Sequence, residues 1–391
     1  MSLIKGRDAT LLGAVALIVF IGVVMLSSAS SVFAFEHFGD SYYFVKRQIL
    51  FGVIPGVAGA FLISWLPKER LKLLVTPLFI LSVLLLAAVL IPGVGEHLGR
   101  AQRWIRIGGF LLQPSEVVKL TSILFCAQWL SRRDERTRDT WKTGALPYLG
   151  IVGGIALLVI LEPDLGTSLV ITCTLVGMMF IAGLPWRHLG AIVGMALVVL
   201  TILIIIEPYR LTRLTTFLNP EHDVQGVSYH VNQAIVAISS GGWFGRGLGK
   251  SIQKFQYLPE VASDSLFAIM AEELGFVVVS IVVGLLYWII IRCMRVAQRS
   301  GDPFARLAIA GIGLWLGIQT TINIGANVGL VPFTGVPLPF LSHGGTSMVV
   351  LLSAIAIIAV LSSGSLSGPG EQIHPFGSSY VSYRSRNRSR V

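Results

Sequence analysis

Apolar runs of about 18 to 25 residues recur along most of this 391-residue chain, and each is long enough to cross a hydrocarbon core of about 30 Å as a helix. A bilayer offers the backbone no water, so a spanning chain must form helices or a closed barrel, and long unbroken runs exclude the barrel. The composition agrees, because 54% of the residues are hydrophobic, 13% are charged and the mean hydropathy is +0.77. The sequence therefore predicts an all-α, polytopic membrane protein.

The runs predict a bundle of about ten transmembrane helices, with the longest outer segment, 207–263, between helices 7 and 8. The predicted spans are 10–29, 48–66, 73–93, 114–131, 146–161, 166–184, 189–206, 265–291, 307–331 and 345–362. We divide the chain into a single transmembrane domain, 1–363, and an arginine-rich tail, 364–391. The tail lacks an apolar period, which predicts disorder.

The distribution of Lys and Arg predicts the orientation of the spans. With the N terminus inside, the inner segments hold 19 of the 30 basic residues and the outer segments hold 10, while Lys119 lies within a span. Cytoplasmic loops are the ones enriched in Lys and Arg, so both termini are predicted to be cytoplasmic. The basic residues cluster at span ends without interleaved exposed aromatics, so the net charge of +10 does not indicate a nucleic-acid partner.

The outer segment carries two local patterns. One face at helical spacing is formed by Val231, Ala234, Ile235 and Ile238. This face predicts a short helix lying at the membrane surface. The five glycines that follow, between 241 and 249, predict a flexible, turn-rich stretch.

Ionisable residues inside spans are functional candidates, because a charge at a helix centre costs at least about 2.5 kcal/mol. Glu116 and Lys119 lie three residues apart on one helical face, and they form either a self-neutralising structural pair or a substrate contact. Asp164 lies in the tight outer link between the fifth and sixth spans. It either caps the following helix or serves the site.

Three more carboxylates lie at or in the eighth span. Glu272 and Glu273 fall two turns inside it, so at least one must face a polar partner or be protonated. Asp264 lies where the outer segment enters the span, within reach of water and polar head groups. From spacing alone it is either the N-cap of that helix or a catalytic carboxylate.

Four sets of motifs follow one another along nearly the whole chain. They are Arg103-Trp104-Ile105-Arg106 with Gln113-Pro114-Ser115-Glu116; Glu162-Pro163-Asp164-Leu165-Gly166-Thr167; Tyr257-Leu258-Pro259-Glu260 with Asp264 and Ala271-Glu272-Glu273-Leu274-Gly275; and Asn323-Ile324-Gly325 with Gly335-Val336-Pro337-Leu338-Pro339-Phe340. Together they resemble the signatures of the shape, elongation, division and sporulation (SEDS) family. The segments 38–44 and 249–254 favour its division branch. Two places depart from the family pattern: Ala262-Ser263 stand where His-Thr is usual, and His343 stands where Tyr is usual.

The resemblance implies a peptidoglycan glycosyltransferase that polymerises lipid II, the undecaprenyl-diphosphate-linked disaccharide peptide, during septal cell-wall synthesis. It implies a bacterial inner-membrane protein at the division septum, with a class B penicillin-binding protein (a transpeptidase) and other divisome proteins as partners. Asp264 aligns with the proposed catalytic Asp of the family, and would take the proton of the acceptor 4-hydroxyl. The candidate substrate-binding residues are Lys119, Glu116, Arg210, Arg213, Asp164 and Gln233.

No cofactor is identified, because the seven histidines are scattered without ligand spacing. A divalent cation, Mg²⁺ or Mn²⁺, could still bridge the diphosphate with few protein ligands. Two other functions stay open. A lipid II flippase would also need charged groups inside a bundle, and a non-enzymatic divisome scaffold that recruits a transpeptidase would use the spans as its binding surface.

The orientation can be tested with single cysteines at Glu221 and Arg136 in a variant that lacks the three native cysteines. In intact spheroplasts, an impermeant thiol reagent should label Glu221→Cys and leave Arg136→Cys unlabelled, because the first is predicted to be periplasmic and the second cytoplasmic. Equal labelling of the two positions would contradict the ten-span arrangement.

Overall fold

The computed structural model describes residues 8–98, 101–133, 140–206, 211–213, 215, 217, 227–255, 258 and 261–363. Its helices are α1 (Ala9–Phe38), α2 (Tyr43–Ser64), α3 (Lys68–Val89), α4 (Pro114–Ser131), α5 (Trp141–Leu161), α6 (Leu165–Ile181), α7 (Trp186–Ile206), α8 (Val227–Gly241), α9 (Leu266–Gln298), α10 (Pro303–Asn327) and α11 (Gly345–Ser362). The predicted tail, 364–391, and Arg210 lie outside the described residues.

Each of the ten predicted spans coincides with one of these helices, which confirms the polytopic all-α bundle. Within the described residues, seven helices are long and apolar enough to cross a membrane, namely α1, α2, α3, α5, α9, α10 and α11. Two shorter apolar helices, Leu165–Ile181 and Trp186–Val199, match the sixth and seventh predicted spans. The remaining span, α4, is 18 residues long and carries the charged Glu116 and Lys119.

The link between α3 and α4, which is predicted to lie on the outer side of the membrane, contains a small antiparallel sheet that was not predicted. Its strands are β1 (Glu96–Leu98), β2 (Ala101–Ile107) and β3 (Phe110–Leu112), in the order β1-β2-β3. The tight turn between β2 and β3 is Gly108-Gly109, and the positive φ of Gly108 suits it. Strands β1 and β3 have three residues each, too few to show alternation, and the seven residues of β2 do not alternate strictly, since Gln102-Arg103 and Trp104-Ile105 interrupt the pattern.

Helix α10 lies at the centre of the bundle. It packs against α9, α4 and α6, while α11 packs along α2. Lipid tails are as apolar as the side chains, so close packing and not water exclusion holds such helices together. At Gly22, for example, a Cβ atom would lie 2.7 Å from the Phe340 carbonyl oxygen, so only glycine lets α1 approach the segment before α11 so closely.

Ion pairs and a hydrogen bond gather the described chain ends at one end of the bundle. Asp8, which caps α1, pairs with Arg292 near the end of α9. Lys72 of α3 pairs with Asp302, the N-cap of α10, at 2.7 Å. Lys68 donates to the Leu361 carbonyl oxygen of α11 at 3.0 Å. The first and last described residues therefore share one side of the bundle, as an even number of spans requires.

Helix α8 confirms the short helix predicted in the outer segment, and it packs along α9. Its position at the membrane surface stays a prediction. The glycine stretch forms turns as predicted, but it is not a free loop, because the backbone of residues 242–247 is hydrogen-bonded to a break in α9 at Gly275. The glycines supply the conformation that this docking needs.

Candidate active site

Three buried amide side chains run along one face of α10. Gln319, Asn323 and Asn327 are spaced four residues apart, and each is at most 2% exposed. We call these three residues the amide row. Trp315, one turn earlier, donates its indole N–H to Gln319 Oε1 at 2.7 Å. Buried amides must find hydrogen-bond partners, and the partners chosen here shape the site.

The first partner of the amide row is residues 333–338, which we call the connector because they lead from α10 toward α11. Gln319 Nε2 donates to the Pro337 carbonyl oxygen at 2.9 Å. Asn323 Nδ2 donates to the Val336 carbonyl oxygen at 2.7 Å. These bonds hold an irregular stretch of backbone against a spanning helix.

The second partner is the backbone of Asp264. Its carbonyl oxygen accepts from Asn323 Nδ2 at 3.0 Å and from Asn327 Nδ2 at 2.9 Å. The carbonyl oxygen of an N-cap residue would instead accept the first backbone hydrogen bond of its own helix. Helix α9 begins at Leu266 with Ser265 as its N-cap, so the N-cap interpretation of Asp264 is wrong.

The Asp264 carboxylate lies against the connector. The hydroxyl of Ser263 donates to Oδ1 at 3.2 Å, and Oδ2 lies 3.5 Å from the place where Gly335 would carry a Cβ. Gly335 has φ of +69°, a conformation that L side chains rarely adopt. The residue Asp264 is 7% exposed, so its surroundings are set by protein on most sides.

The outer segment brings a cation and an imidazole to the same connector. Arg213 Nη1 donates to the Phe333 carbonyl oxygen at 3.1 Å. The rings of His230 and Phe333 lie 4.0 Å apart, and His230 Nε2 lies 2.6 Å from the hydroxyl oxygen of Ser265, next to Asp264 in sequence. Gln233 lies one turn beyond His230 on α8 and is partly buried. The structure therefore brings Arg213 and α8 to the neighbourhood of Asp264.

Asp164 caps α6, as one of its two predicted roles requires. Its carboxylate accepts from the Thr167 backbone N–H at 3.0 Å and from the Thr167 hydroxyl at 2.9 Å, and it pairs with Arg103 at 3.5 Å. A Cβ at Gly166 would lie 2.4 Å from the Thr334 carbonyl oxygen. The first turn of α6 thus packs directly on the connector, and the role of Asp164 in substrate binding stays a prediction.

Glu162, two residues before Asp164, is fully buried. Burial raises the pKa of its carboxyl to about 8, the negative charge of Asp164 adds to the increase, and Arg103 opposes it. Glu162 is therefore mostly protonated at neutral pH. The negative charge at this helix start is carried by Asp164, which the Arg103 guanidinium and the N-terminal dipole of α6 both stabilise.

The two departures from the family pattern are neighbours in space. The backbone N–H of His343 donates to the Ala262 carbonyl oxygen at 2.8 Å, and the imidazole meets the ring of Phe44 edge-on at 5.2 Å. Burial, with the nearby charge of Arg47, lowers the pKa of His343 to about 4. An uncharged imidazole thus lies beside the backbone segment that leads into Asp264.

Glu116 and Lys119 form the predicted ion pair. Their side chains are 3% and 2% exposed, and Lys119 Nζ lies 2.7 Å from Glu116 Oε1. Lys119 Nζ also donates to Gln319 Oε1 at 3.2 Å, so the pair is joined to the amide row. Gln319 and Asn323 are one turn apart, about 6 Å along the helix axis. The ion pair forms as predicted, and its contact with substrate stays a prediction.

The family model described as "Cell cycle protein", whose short name joins FtsW, RodA and SpoVE, matches residues 8–365. The chain belongs to this family. It is the SEDS family that the sequence motifs resemble.

Individual proteins of the SEDS family match this chain over nearly their full lengths. "Probable peptidoglycan glycosyltransferase FtsW" of Nitrosomonas europaea is 40% identical over 90% of this chain and 91% of its own. "Stage V sporulation protein E" of Bacillus subtilis is 39% identical over 88% and 93%.

Two solved structures share the fold at similar coverage. A chain reported under "Structural coordination of polymerization and crosslinking by a peptidoglycan synthase complex" has a TM-score of 0.76 at 29% identity, covering 93% of this chain and 99% of its own. RodA of Thermus thermophilus has a TM-score of 0.68 at 30% identity, covering 93% and 98%.

Sequence reasoning missed the amide row and Arg103 as parts of the site. A signal for the amide row exists, because Gln319, Asn323 and Asn327 recur every four residues within an apolar span. Polar side chains on one face of a spanning helix mark the face that points into the protein. Arg103 belongs to one of the four motif sets, but its role could not be predicted, because its partners lie 59 to 61 residues further along the chain.

Asn327→Leu tests the amide row, because it removes a donor to the Asp264 carbonyl oxygen with little change of volume. We expect the free energy of unfolding to fall by about 1 to 3 kcal/mol and backbone hydrogen exchange around 262–268 to accelerate. Thermal unfolding in detergent and exchange mass spectrometry measure the two effects.

The matched control is Thr320→Val on the same helix. Thr320 is 1% exposed, and its hydroxyl has no partner among the described residues, so this change should leave exchange around Asp264 unaltered. If the two variants exchange alike at 262–268, the amide row does not hold Asp264.

Proposed function

We propose that this chain is a peptidoglycan glycosyltransferase that polymerises lipid II during septal wall synthesis. The observation that carries the proposal is the carboxylate of Asp264, fixed through its own carbonyl by two buried amides, at the outer end of α9. Motif order over nearly the whole chain and the names of the FtsW relatives support the activity and the division role.

In the proposed reaction, Asp264 takes the proton of the 4-hydroxyl on an incoming lipid II. That oxygen attacks the anomeric carbon of the growing glycan, the new glycosidic bond forms, and the bond to undecaprenyl diphosphate breaks with its electron pair on the leaving phosphate. The negative charge therefore moves from the carboxylate to the diphosphate. General-base catalysis of this kind contributes about 10² to 10⁴ in rate.

The leaving diphosphate needs cations at the outer side of the bundle. Arg213 lies beside the connector that also contacts Asp264, so it is the described cation best placed for this role, with Arg210 three residues earlier in sequence. Fixed guanidinium groups suit phosphate oxygens in geometry and charge. Glu116, Lys119, Asp164 and Gln233 complete the proposed binding set.

A divalent cation would be held mainly by the diphosphate itself. Among the described residues, no group of three His, Cys, Asp or Glu side chains could hold a metal ion. Mg²⁺ binds readily through substrate phosphates with one or two carboxylates, which is compatible with this site. The ion would offset diphosphate charge.

We further propose that the protein lies in the bacterial inner membrane at the division septum, with both termini cytoplasmic. Its partners would be a class B penicillin-binding protein and other divisome proteins. The solved relative reported as part of a peptidoglycan synthase complex, in which polymerisation and crosslinking are coordinated, supports a transpeptidase partner.

Asp264→Asn should lower the rate of lipid II polymerisation by at least about 10² while leaving the melting temperature nearly unchanged. Asparagine cannot act as a base, but it keeps the backbone carbonyl that Asn323 and Asn327 hold. Purified variants with the native partner, assayed for glycan product and melted in the same detergent, give both values.

Asp164→Asn is the matched control. It removes the charge of another carboxylate of the proposed site but keeps the α6 cap, because asparagine can still accept from the Thr167 N–H. A binding contact and not a base is lost, so the rate should fall by less than about tenfold. The proposal fails if Asp264→Asn keeps more than about a tenth of the wild-type rate. A loss of less than tenfold would be smaller than the smallest effect expected from removing a general base, about 10².

The proposed partner predicts co-purification. A class B penicillin-binding protein of the same cell should remain with this chain in mild detergent and raise its polymerisation rate. Failure to co-purify with any such protein of that cell would count against the complex and leave the proposed chemistry untouched.

A further inference from the structure

The break in α9 is filled by another part of the chain. Gly275 has φ of 75° and ψ of 173°, which interrupts the helical hydrogen bonds. The carbonyls of Glu272 and Glu273 accept instead from the N–H groups of Arg246 and Gly247, both at 2.9 Å. The N–H groups of Phe276 and Val277 donate to the carbonyls of residues 242 and 243 at 2.9 and 3.1 Å. Four backbone bonds thus seat residues 242–255, which we call the docked turn.

Glycines allow this contact at atomic distance. A Cβ at Gly245 would lie 2.2 Å from the Glu273 carbonyl oxygen, and a Cβ at Gly275 would lie 2.2 Å from the Gly245 nitrogen. Both residues also have positive φ. The docked turn is therefore a fixed part of the bundle.

Two buried carboxylates hold the docked turn further. Glu272 accepts from the Ser251 hydroxyl at 2.5 Å and from the Ile252 N–H at 2.9 Å. Glu273 pairs with Lys254 at 3.3 Å and accepts from the Ser28 hydroxyl of α1 at 2.6 Å. The sequence predicts that at least one of these acids faces a polar partner or is protonated, and both have polar partners.

The outer side of the docked turn is apolar. Phe244 is 84% exposed and Trp243 is 67% exposed. Further exposed apolar residues are Leu248, Ile252 and Phe255. Aromatic and aliphatic side chains this exposed mark a surface that something covers.

This surface is continuous with a face of α9 that carries large exposed apolar side chains. The ring of Trp243 lies 5.4 Å from that of Phe276 of α9, which is 61% exposed, and Ile281 further along α9 is 67% exposed. Exposed apolar residues in the middle of a spanning helix face acyl chains. What covers α9 there should also cover the docked turn.

The length of α9 indicates how deep the docked turn lies in the bilayer. From Arg292, near its inner end, to the break at Gly275 there are 17 residues, about 26 Å of helix, close to the thickness of a hydrocarbon core. The docked turn therefore lies at the outer edge of the hydrocarbon, where Trp side chains concentrate. Arg246 and Lys250 are exposed on the same turn, at the level of lipid phosphates.

We propose that the docked turn is an interfacial anchor bound to the outer leaflet of the bilayer. Its apolar side chains lie at the acyl boundary, and Lys250 and Arg246 contact anionic head groups. The adjoining helix α8 carries His230 to Ser265, so the anchor fixes the height of the Asp264 region above the hydrocarbon. This inference concerns lipid contact and does not depend on the proposed chemistry.

Spin labels measure the contact in the full chain, reconstituted in nanodiscs of phosphatidylethanolamine and phosphatidylglycerol. The background carries Cys173→Ser, because Cys173 is the exposed one of the three cysteines. A label at Phe244→Cys should collide often with oxygen and rarely with a water-soluble nickel chelate, as should one at the lipid control, Ile281→Cys. A label at the water control, Lys46→Cys, should show the reverse.

Nickel access at position 244 like that at position 46 would overturn the anchor, because the turn would lie in water. Low access to both reagents would overturn it as well, because protein would cover the turn. Replacing phosphatidylglycerol by phosphatidylcholine should move a label at Leu248→Cys toward water, and Lys250→Gln should abolish that dependence. If the depth of the label at position 248 is the same in phosphatidylglycerol and phosphatidylcholine, the proposed contact with anionic head groups is wrong.

Discussion

The side-chain N–H groups of Gln319, Asn323 and Asn327 lie inside a membrane-spanning helix where no bulk water can reach them, and the site depends on how they are satisfied. Each amide NH₂ has two hydrogens to place. Asn323 donates one to the Val336 carbonyl oxygen and one to the Asp264 carbonyl oxygen. Asn327 donates one to the Asp264 carbonyl oxygen and one to the backbone carbonyl oxygen of Asn323. The connector and the start of α9 are therefore fixed by one helix.

The same need governs the buried charges. Lys119 is paired with Glu116, Lys254 with Glu273, and Arg103 with Asp164, so each of these cations neutralises a carboxylate at a place where helices meet. A buried ion pair is costly to break, because it leaves one charge alone in a medium of low dielectric constant. Lys119 also joins α4 to the amide row through Gln319, Lys254 joins the docked turn to α9, and Arg103 joins β2 to the start of α6.

The sequence predicts the elements that are set by local pattern. Ten apolar runs predict ten helices, and the cost of burying charge singles out Glu116, Lys119, Asp164, Asp264 and the Glu272–Glu273 pair. The Glu116–Lys119 pair and the Asp164 cap are local and could be predicted. The other partners could not, because each of those contacts joins residues far apart in the chain. Lys119 and Gln319 are 200 residues apart, and Asp264 and Asn327 are 63 apart. The N-cap interpretation of Asp264 failed for this reason, since cap preference describes only the local backbone. The docking of the glycine stretch could not be predicted either, because its partner, the break at Gly275, exists only once α9 has folded.

We propose that this scaffold presents the Asp264 carboxylate to the hydroxyl of the acceptor sugar. An electron cryomicroscopy structure of the protein with an unreactive lipid II analogue tests it most directly. We expect the acceptor 4-hydroxyl about 3 Å from an Asp264 carboxylate oxygen, with the diphosphate toward Arg213. An acceptor sugar bound elsewhere, with its 4-hydroxyl beside Glu116 or Asp164 and no substrate atom in contact with Asp264, would contradict it.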